Sequence, residues 1–434
     1  MLKRIRVEGY KTLRDVEVRL TPLTVIVGPN AAGKSNFLDA LQLLSKLASA
    51  RTLKEAFDPP YRGKPLESFT FGESGLRGLL DNDEVRFSIE VDFDVTQPVV
   101  DLVERRVREM RDPENDRTDE RAPKITERSM RYRIEVEMKP RSGVLRVSDE
   151  FLAALKSDGS VSQKRKPFLE RVGEQLRLRF ERQSHPKYFE RYLDHSILSM
   201  PHYSPHYPHV VAARESLSSW AFFYFEPRER MRIANPVKET HQIGMMGEDL
   251  PAYLNTLKTL EPARFRAIEK ALRHLMPQIG GIDTFVNEIG EVELRLVEYG
   301  TTVPARILSE GTLRILGMLA LSGSKMPPPV IGFEEPENGV HPRRVELVAE
   351  MLKARGRGTN TQYVVTTHSP LLADMVRPDD LLIVRRGESG TEIRSLDSWG
   401  PLANRNEIER ALEEGDLEPP SFSDRMLRGD FDAA

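Results

Sequence analysis

Residues 23–38 read LTVIVGPNAAGKSNFL, and this stretch decides the fold. Leu23 to Val27 is a short β-branched run of the kind that forms a strand buried on both faces. GPNAAGKS at 28–35 fits the spacing G-x-x-x-x-G-K-[ST] in full. Gly28 and Gly33 let the backbone curl, so that successive N–H groups point at a β-phosphate. Lys34 can neutralise β- and γ-phosphate charge, and the Ser35 hydroxyl can bind Mg²⁺. Apolar residues from Phe37 to Leu47 then recur at helical spacing, so a positive helix end faces the anion. A chance glycine-rich turn lacks this strand–loop–helix order.

The chain around it has 434 residues, 39% hydrophobic and 30% charged, enough for one large core or two modest ones. Lys+Arg 64 against Asp+Glu 67 leaves a net charge of -3. Bulk charge therefore does not make it a polyanion binder, and nucleic-acid contact requires a local patch. Without cysteine there are no disulfides and no thiolate metal sites, which fits a cytoplasmic location. No apolar run is long enough for a signal peptide or a membrane span, so no membrane partner is expected.

Working outward, Leu2, Ile5, Val7 and then Val16, Val18, Leu20 suggest a hairpin before the loop. Val85 to Phe93 and Tyr132 to Met138 alternate apolar and polar residues, which predicts half-buried antiparallel strands. The charged segment between them, from Asp101 to Lys124, reads as a solvated helix or loop. Lys156 to Arg191 holds ten basic and five acidic residues. It reads as an arginine-rich solvated helix or, alternatively, a nucleic-acid or partner-binding face. His202, His206 and His209, separated by prolines with no acid nearby, read as a mobile loop rather than a metal site. Trp220 to Phe225 reads as an aromatic strand. Phe265, Ile268, Leu272 and Leu275 fit a helix stopped by Pro277. Strands at Val292–Val297, Val330–Phe333, Tyr363–Thr366 and Leu381–Val384 then alternate with helices after Ser309 and Pro342, an α/β pattern.

Three later motifs bear on the phosphate loop. Val330 to Phe333 is a buried strand that ends in Glu334 and Glu335, delivering two carboxylates to the sheet edge where nucleotides sit. Glu334 can help hold Mg²⁺, and Glu335 can polarise an attacking water. LSEGT at 308–312 opens an apolar helix with a serine and a glycine, either an anion site or an ordinary N-cap. TTHSP at 366–370 follows a β-branched strand and puts His368 at the same edge.

The ordered set GPNAAGKS, LSEGT, VIGFEEPENGVHP and TTHSP resembles the ABC ATPases of the SMC/RecF group. Within it, the chain is similar to the compact prokaryotic subset that includes the ATPase half of OLD-family (overcoming lysogenization defect) proteins. The opening VEGYKTLRDVEVRL matches that group's first hairpin, and the likeness covers residues 1–98 and about 245–386. It implies an ABC-type P-loop ATPase fold of the α/β class, with a mostly parallel core sheet, an antiparallel β subdomain and a mainly helical insertion. By resemblance, Gly28, Asn30, Gly33, Lys34 and Ser35 form the phosphate loop for ATP, and Asn36 begins the helix. Ser309 and Gly311 cap the γ-phosphate held by the opposite subunit. Glu335 is the hydrolytic base, and His368 senses the γ-phosphate. Ser35 and Glu334 serve Mg²⁺, Glu334 standing where most ABC proteins have aspartate. Pro336 to His341 cross the dimer interface, and Lys11 approaches the nucleotide from the first hairpin. The glutamine that usually completes the metal shell has no clear counterpart, Gln97 being one candidate.

The expected organisation is an N-terminal ATPase lobe at 1–150 and an insertion, helical or irregular, at 151–245. A C-terminal ATPase lobe at 246–400 and an acidic tail at 401–434 follow. No sustained heptad run marks a long coiled-coil arm. A nuclease domain after the ATPase, as in OLD proteins, is not expected within this length. The expected function is ATP hydrolysis in a homodimer or higher even-numbered oligomer. Its dimerisation would gate a separate effector protein, a nuclease among the candidates, in prokaryotic antiviral defence. The alternatives are a RecF-like DNA-repair ATPase acting on DNA directly, and a scaffold that uses ATP only to stay assembled.

Overall fold

The computed structural model describes residues 1–110, 124–181, 186–190, 193–322, 327–358, 361–388, 390–396 and 421–427. Most of the acidic tail at 401–434 and residues 111–123 of the charged segment lie outside them.

The chain begins with β1 (Leu2–Tyr10), β2 (Leu13–Arg19), β3 (Leu23–Val27) and α1 (Lys34–Leu47). The short helices α2 (Leu53–Ala56) and α3 (Gly75–Leu79) lead to β4 (Val85–Asp94), α4 (Gln97–Glu109), β5 (Ser129–Lys139) and β6 (Val144–Ala154). Next come β7 (Leu169–Val172), β8 (Gln175–Leu178), β9 (Lys187–Glu190), α5 (Pro208–Ser218), β10 (Ala221–Phe223) and β11 (Asn235–Pro236). Helices α6 (Leu250–Leu260) and α7 (Pro262–Leu275) precede β12 (Ile279–Val286), β13 (Glu291–Glu298) and β14 (Thr301–Pro304). The remainder is α8 (Glu310–Ser322), β15 (Val330–Glu334), α9 (Pro342–Gly358), β16 (Gln362–Thr367) and α10 (Pro370–Asp374). It closes with β17 (Leu381–Gly387), β18 (Gly390–Ser395) and α11 (Phe422–Leu427).

Three sheets result. The central one runs β10-β15-β16-β3-β17-β18, parallel except for the last pair. Both of its faces are buried, and alternate residues of each strand serve opposite cores. Val25 and Val27 of β3 join Ile331, Phe333 and Val365 on the face covered by α8, α9 and α10. Ile26, Val330 and Val364 join Phe37, Leu38 and Leu41 of α1 on the other. This is why the strands read as continuous apolar runs.

The second sheet is wholly antiparallel, in the order β2-β1-β4-β5-β6-β7-β8-β9. Its inner face pairs Phe87 with Val136, Ile89 with Ile134 and Val91 with Tyr132, all buried. Burying one such side chain contributes about 1.5–3 kcal/mol. The outer face is a grid of ion pairs, with Arg131 forked onto Asp92 at 2.6 and 2.8 Å and Arg4 on Glu17 and Glu90. The third sheet places β13 between β12 and β11, with β14 also on β13.

Several expectations change here. The segment from Lys156 to Arg191 is not a solvated helix. It folds into β7, β8 and β9, because Leu169, Leu176 and Leu178 alternate and are buried. Arg177 and Arg179 both pair with Glu170. Strand β6 runs across the boundary expected at residue 150. Among the described residues of 151–245, the helical part is α5 and one π-helical turn at Pro227–Met231, so the insertion holds strand as well as helix. Helix α4 buries Val99, Val100, Val103 and Val107, an apolar stripe that its charge count concealed. His209 lies in α5 and is 1% exposed, with Nδ1 on Glu181 and Nε2 accepting the N–H groups of Thr126 and Glu127 at 3.1 Å. It is a core residue, not part of a mobile loop. No helix among the described residues is long and apolar enough to cross a membrane.

Candidate nucleotide site

Strand register brings the distant motifs together. Thr367 of β16 lies opposite Val27 of β3, and Glu334 of β15 lies opposite Thr366. The three strands therefore end side by side, at the carboxyl edge where open α/β sheets bind ligands.

The 28–35 loop is curled at this edge. Gly33 caps α1 with φ 111°, and a Cβ there would fall 2.2 Å from Thr391 Oγ1, so only glycine fits. Thr391 donates to the Ala32 carbonyl at 2.9 Å and meets Thr12 at 2.6 Å, while Asn36 donates to Thr12 at 2.8 Å. The β1–β2 turn and β18 thus support the loop from beneath. Lys34 is buried, its Nζ donating to the carbonyls of Gly28 and Pro29 at 2.8 and 2.9 Å. Burial pushes its pKa down, against the pull of Glu335, Glu334 and Glu337. Asn30 is exposed at the loop's outer rim.

On the metal side, Ser35 Oγ donates to Glu334. A hydroxyl and a carboxylate offer the hard oxygen donors that Mg²⁺ takes alongside phosphate and water, so these residues fit that ion. A cation already engages the same carboxylate. Arg62 places Nη1 3.1 Å from Glu334 Oε1 and Nη2 2.9 Å from Oε2, and its Nε and Nη2 also hold Asp39 at 3.0 and 2.8 Å. Lys11 reaches the other oxygen of Asp39 at 2.7 Å. Asp39 sits one helical turn beyond Ser35 in α1, and Thr12, the chain neighbour of Lys11, is the residue that bonds beneath the loop. Gln97 bonds Asp101 within α4, and among the described residues no hydrogen bond links it to this cluster.

Glu335 has φ 46°, the left-handed region, and its N–H bonds the Thr366 carbonyl at 2.9 Å. That sharp turn aims the side chain out of the sheet, where His368 Nδ1 lies 3.1 Å from Oε1. A carboxylate held by an imidazole at a sheet edge can orient and deprotonate a water. Two residues on, Glu337 is buried, accepts a bond from Thr367 Oγ1, and leaves Oε2 without a partner.

Ser309 and Gly311 lie at the start of α8. Ser309 Oγ accepts the Thr312 N–H at 3.2 Å, an ordinary cap bond within this chain. Gly311 packs on the loop after β15, where a Cβ would fall 2.9 Å from the Gly339 carbonyl. Among the described residues, no hydrogen bond joins Ser309 to the 28–35 loop. Arg228 pairs with Glu310, and Arg232 donates to the Leu308 carbonyl at 2.7 Å, fixing how α8 begins.

A family model described as "AAA domain, putative AbiEii toxin, Type IV TA system" matches residues 105–374, more than half of the chain. The chain belongs to this AAA-domain family. A second model, "AAA ATPase domain", matches residues 1–191 of the same AAA-domain chain. The OLD nuclease of Thermus scotoductus is 50% identical over 44 residues, covering 10% of this chain and 8% of that protein. The DNA replication and repair protein RecF of Gloeobacter violaceus is 38% identical over 55 residues, 12% of this chain and 15% of that one. The matched stretches thus span only a small part of either relative. A crystal structure of an SMC head bound to the C-winged helix domain of ScpA aligns with a TM-score of 0.53 at 12% identity. It covers 92% of this chain and 99% of that one, a likeness of fold alone. The AAA-domain chain thus resembles OLD and RecF proteins over short stretches and has the fold of an SMC head.

Sequence reasoning missed Asp39 and Arg62 beside this site, and took Glu337 only as part of the Pro336–His341 loop. Asp39 sits among the apolar positions of α1, a signal that could have flagged it. Arg62 belongs to no motif, and only the folded chain shows its partners.

Proposed function

We propose that this chain binds ATP with Mg²⁺ and hydrolyses it between two copies, using that nucleotide-gated association to control a separate effector. The observation that carries the reading is the meeting of Lys34, Ser35, Glu334, Glu335 and His368 at one sheet edge. Lys34 leaves the Gly28 and Pro29 carbonyls for the β- and γ-phosphates, exchanging neutral acceptors for charged ones. Bound Mg²⁺, held by Ser35 and Glu334, supplies charge neutralisation at those phosphates. Glu335 orients and deprotonates the water, and His368 steadies that carboxylate while facing the γ-phosphate. Ser309 and the N–H of Gly311 cap the γ-phosphate from the second copy. Each nucleotide is then gripped by two molecules, and its hydrolysis loosens the pair. A tenfold shift in association needs about 1.4 kcal/mol, within reach of one charge-assisted contact.

A cytoplasmic, antiviral setting with a nuclease-type effector draws support from the family description, which names a putative toxin, and from the segment shared with an OLD nuclease. The segment shared with RecF favours the second reading, a repair ATPase that binds DNA directly. The deciding experiment measures ATP turnover and association of the parent chain and of Glu335→Gln, with and without duplex DNA. The reading requires a variant that binds ATP, turns over slowly and stays associated. Normal turnover in that variant would end it. ATP-dependent DNA binding that falls steeply with salt, with no second protein present, would favour the repair reading.

A further inference from the structure

Arg314 lies in the second turn of α8 and is 6% exposed, yet its Nε and Nη1 have no hydrogen-bond partner. A buried guanidinium with idle donors is costly, and such groups in a folded chain need an explanation. Its surroundings suggest one. The guanidinium faces the loop after β15, where a Cβ on Gly339 would lie 4.0 Å from Arg314 Nε. That same loop holds Glu337, also 6% exposed, whose Oε2 is likewise without a partner. Glu310, one turn back on α8, gives Oε1 to Arg228 and attracts the Arg314 guanidinium by charge, yet Arg314 Nε and Nη1 still lack a hydrogen bond. Two donor nitrogens of a buried cation and one buried carboxylate oxygen thus stand on two facing elements without a hydrogen-bond partner.

Glu337 is the start of a relay. Its Oε1 accepts the Thr367 hydroxyl, and Thr367 Oγ1 in turn accepts the Ser369 N–H at 2.9 Å. Those two residues bracket His368, which meets Glu335. The start of α8 packs on the loop itself through Gly311 and Gly339. A small shift of α8 is therefore felt at once by the loop, and through it by the histidine turn.

We propose that Arg314 is a positioning residue for hydrolysis, which takes the free Oε2 of Glu337 when the start of α8 is seated on a partner's nucleotide and so sets the His368 turn against Glu335. This rests on the two-copy reading above. It gives α8 a second duty within its own chain, reporting the occupancy of one site to the acids of the other. Burial presses the Arg314 pKa down and the Glu337 pKa up, the cost that their contact relieves.

The test uses the full chain with ATP as ligand. Arg314→Met and Glu337→Gln should each lower kcat on the order of tenfold with KM for ATP within about twofold, since neither touches the 28–35 loop. The double variant should be no slower than the slower single one, and Arg314→Lys should recover part of the loss. Losses that multiply in the double variant would overturn the proposal, as would parental turnover in Arg314→Met. Should Arg314→Met not fold, Glu337→Gln decides alone, and parental turnover there overturns the coupling. Normal turnover in Glu335→Gln, by contrast, removes the underlying two-copy reading whatever Arg314 does.

Discussion

The Cβ that Gly311 lacks would fall 2.9 Å from the carbonyl oxygen of Gly339 and 3.2 Å from Val340 Cα. Gly311 therefore has a packing duty in the single chain, apart from any phosphate it caps. Both atoms are backbone, and Gly339 is itself at φ 72°, so the loop has little room to yield. Gly311→Ala should lower stability by about 1–3 kcal/mol without nucleotide, as overpacking does. Urea denaturation of the nucleotide-free chain checks this. Parental stability would leave Gly311 to ligand binding alone.

Glu335 holds a φ of 46° although it is not glycine. Side chains other than glycine and asparagine pay about 1–2 kcal/mol there. Glu335→Asn and Glu335→Gln both replace the carboxylate by an amide, but only asparagine suits the left-handed backbone. The asparagine variant should be the more stable of the two by about 1 kcal/mol, with turnover reduced on the order of 10²-fold or more in both. Paired denaturation curves and ATPase rates test both halves. A less stable asparagine variant would show that the turn carries no strain.

These features were unequally legible in the sequence. The phosphate loop is contiguous, and its glycines, lysine and serine carry their geometry with them. The strand ending in Glu334 and Glu335 was readable from a local run, because β15 is buried on both faces. The left-handed turn at Glu335 was not, since no glycine marks it. Arg62 finds Glu334 across most of the chain, and Arg314 finds its neighbourhood only once α8 lies on the loop after β15. Pairings of that range leave no spacing to read. Between 156 and 191, the weight of charge hid an alternation at Leu176 and Leu178 that was present all along.

Arg62 is nearly half exposed, while Asp39 beneath it is 4% exposed. Removing the guanidinium leaves Lys11 as the cation on Asp39 and frees Glu334. Arg62→Met should therefore cost only about 1–2 kcal/mol of stability, the exposed side of the pair being screened. Arg62 and a metal ion draw on the same carboxylate. The Mg²⁺ concentration for half-maximal ATP binding should fall roughly threefold or more in the variant. A Mg²⁺ titration with a fluorescent nucleotide reads this directly. An unchanged midpoint would show that the two do not compete.

Glu150 in β6 is wholly buried and accepts four bonds: from Tyr132 Oη and Ser196 Oγ at 2.8 Å, and from the N–H groups of Leu198 and Ile197 at 3.0 and 2.7 Å. Burial still raises its pKa above the ordinary 4.5, with those bonds acting against it. A carboxyl that keeps its proton more tightly when folded gives the native state the larger share of protons, so its contribution is full below the ordinary value. That contribution fades as pH climbs through the raised folded one. Glu150→Gln cannot titrate, and its amide N–H₂ must face at least one of the same donors, a loss of about 1–3 kcal/mol. The stability gap between parent and variant should therefore be widest at pH values below the ordinary 4.5 and shrink as pH rises above it. Urea denaturation of both proteins across that range measures the gap. A gap that widens with pH would mean that the four donors outweigh burial and that Glu150 titrates below its ordinary value.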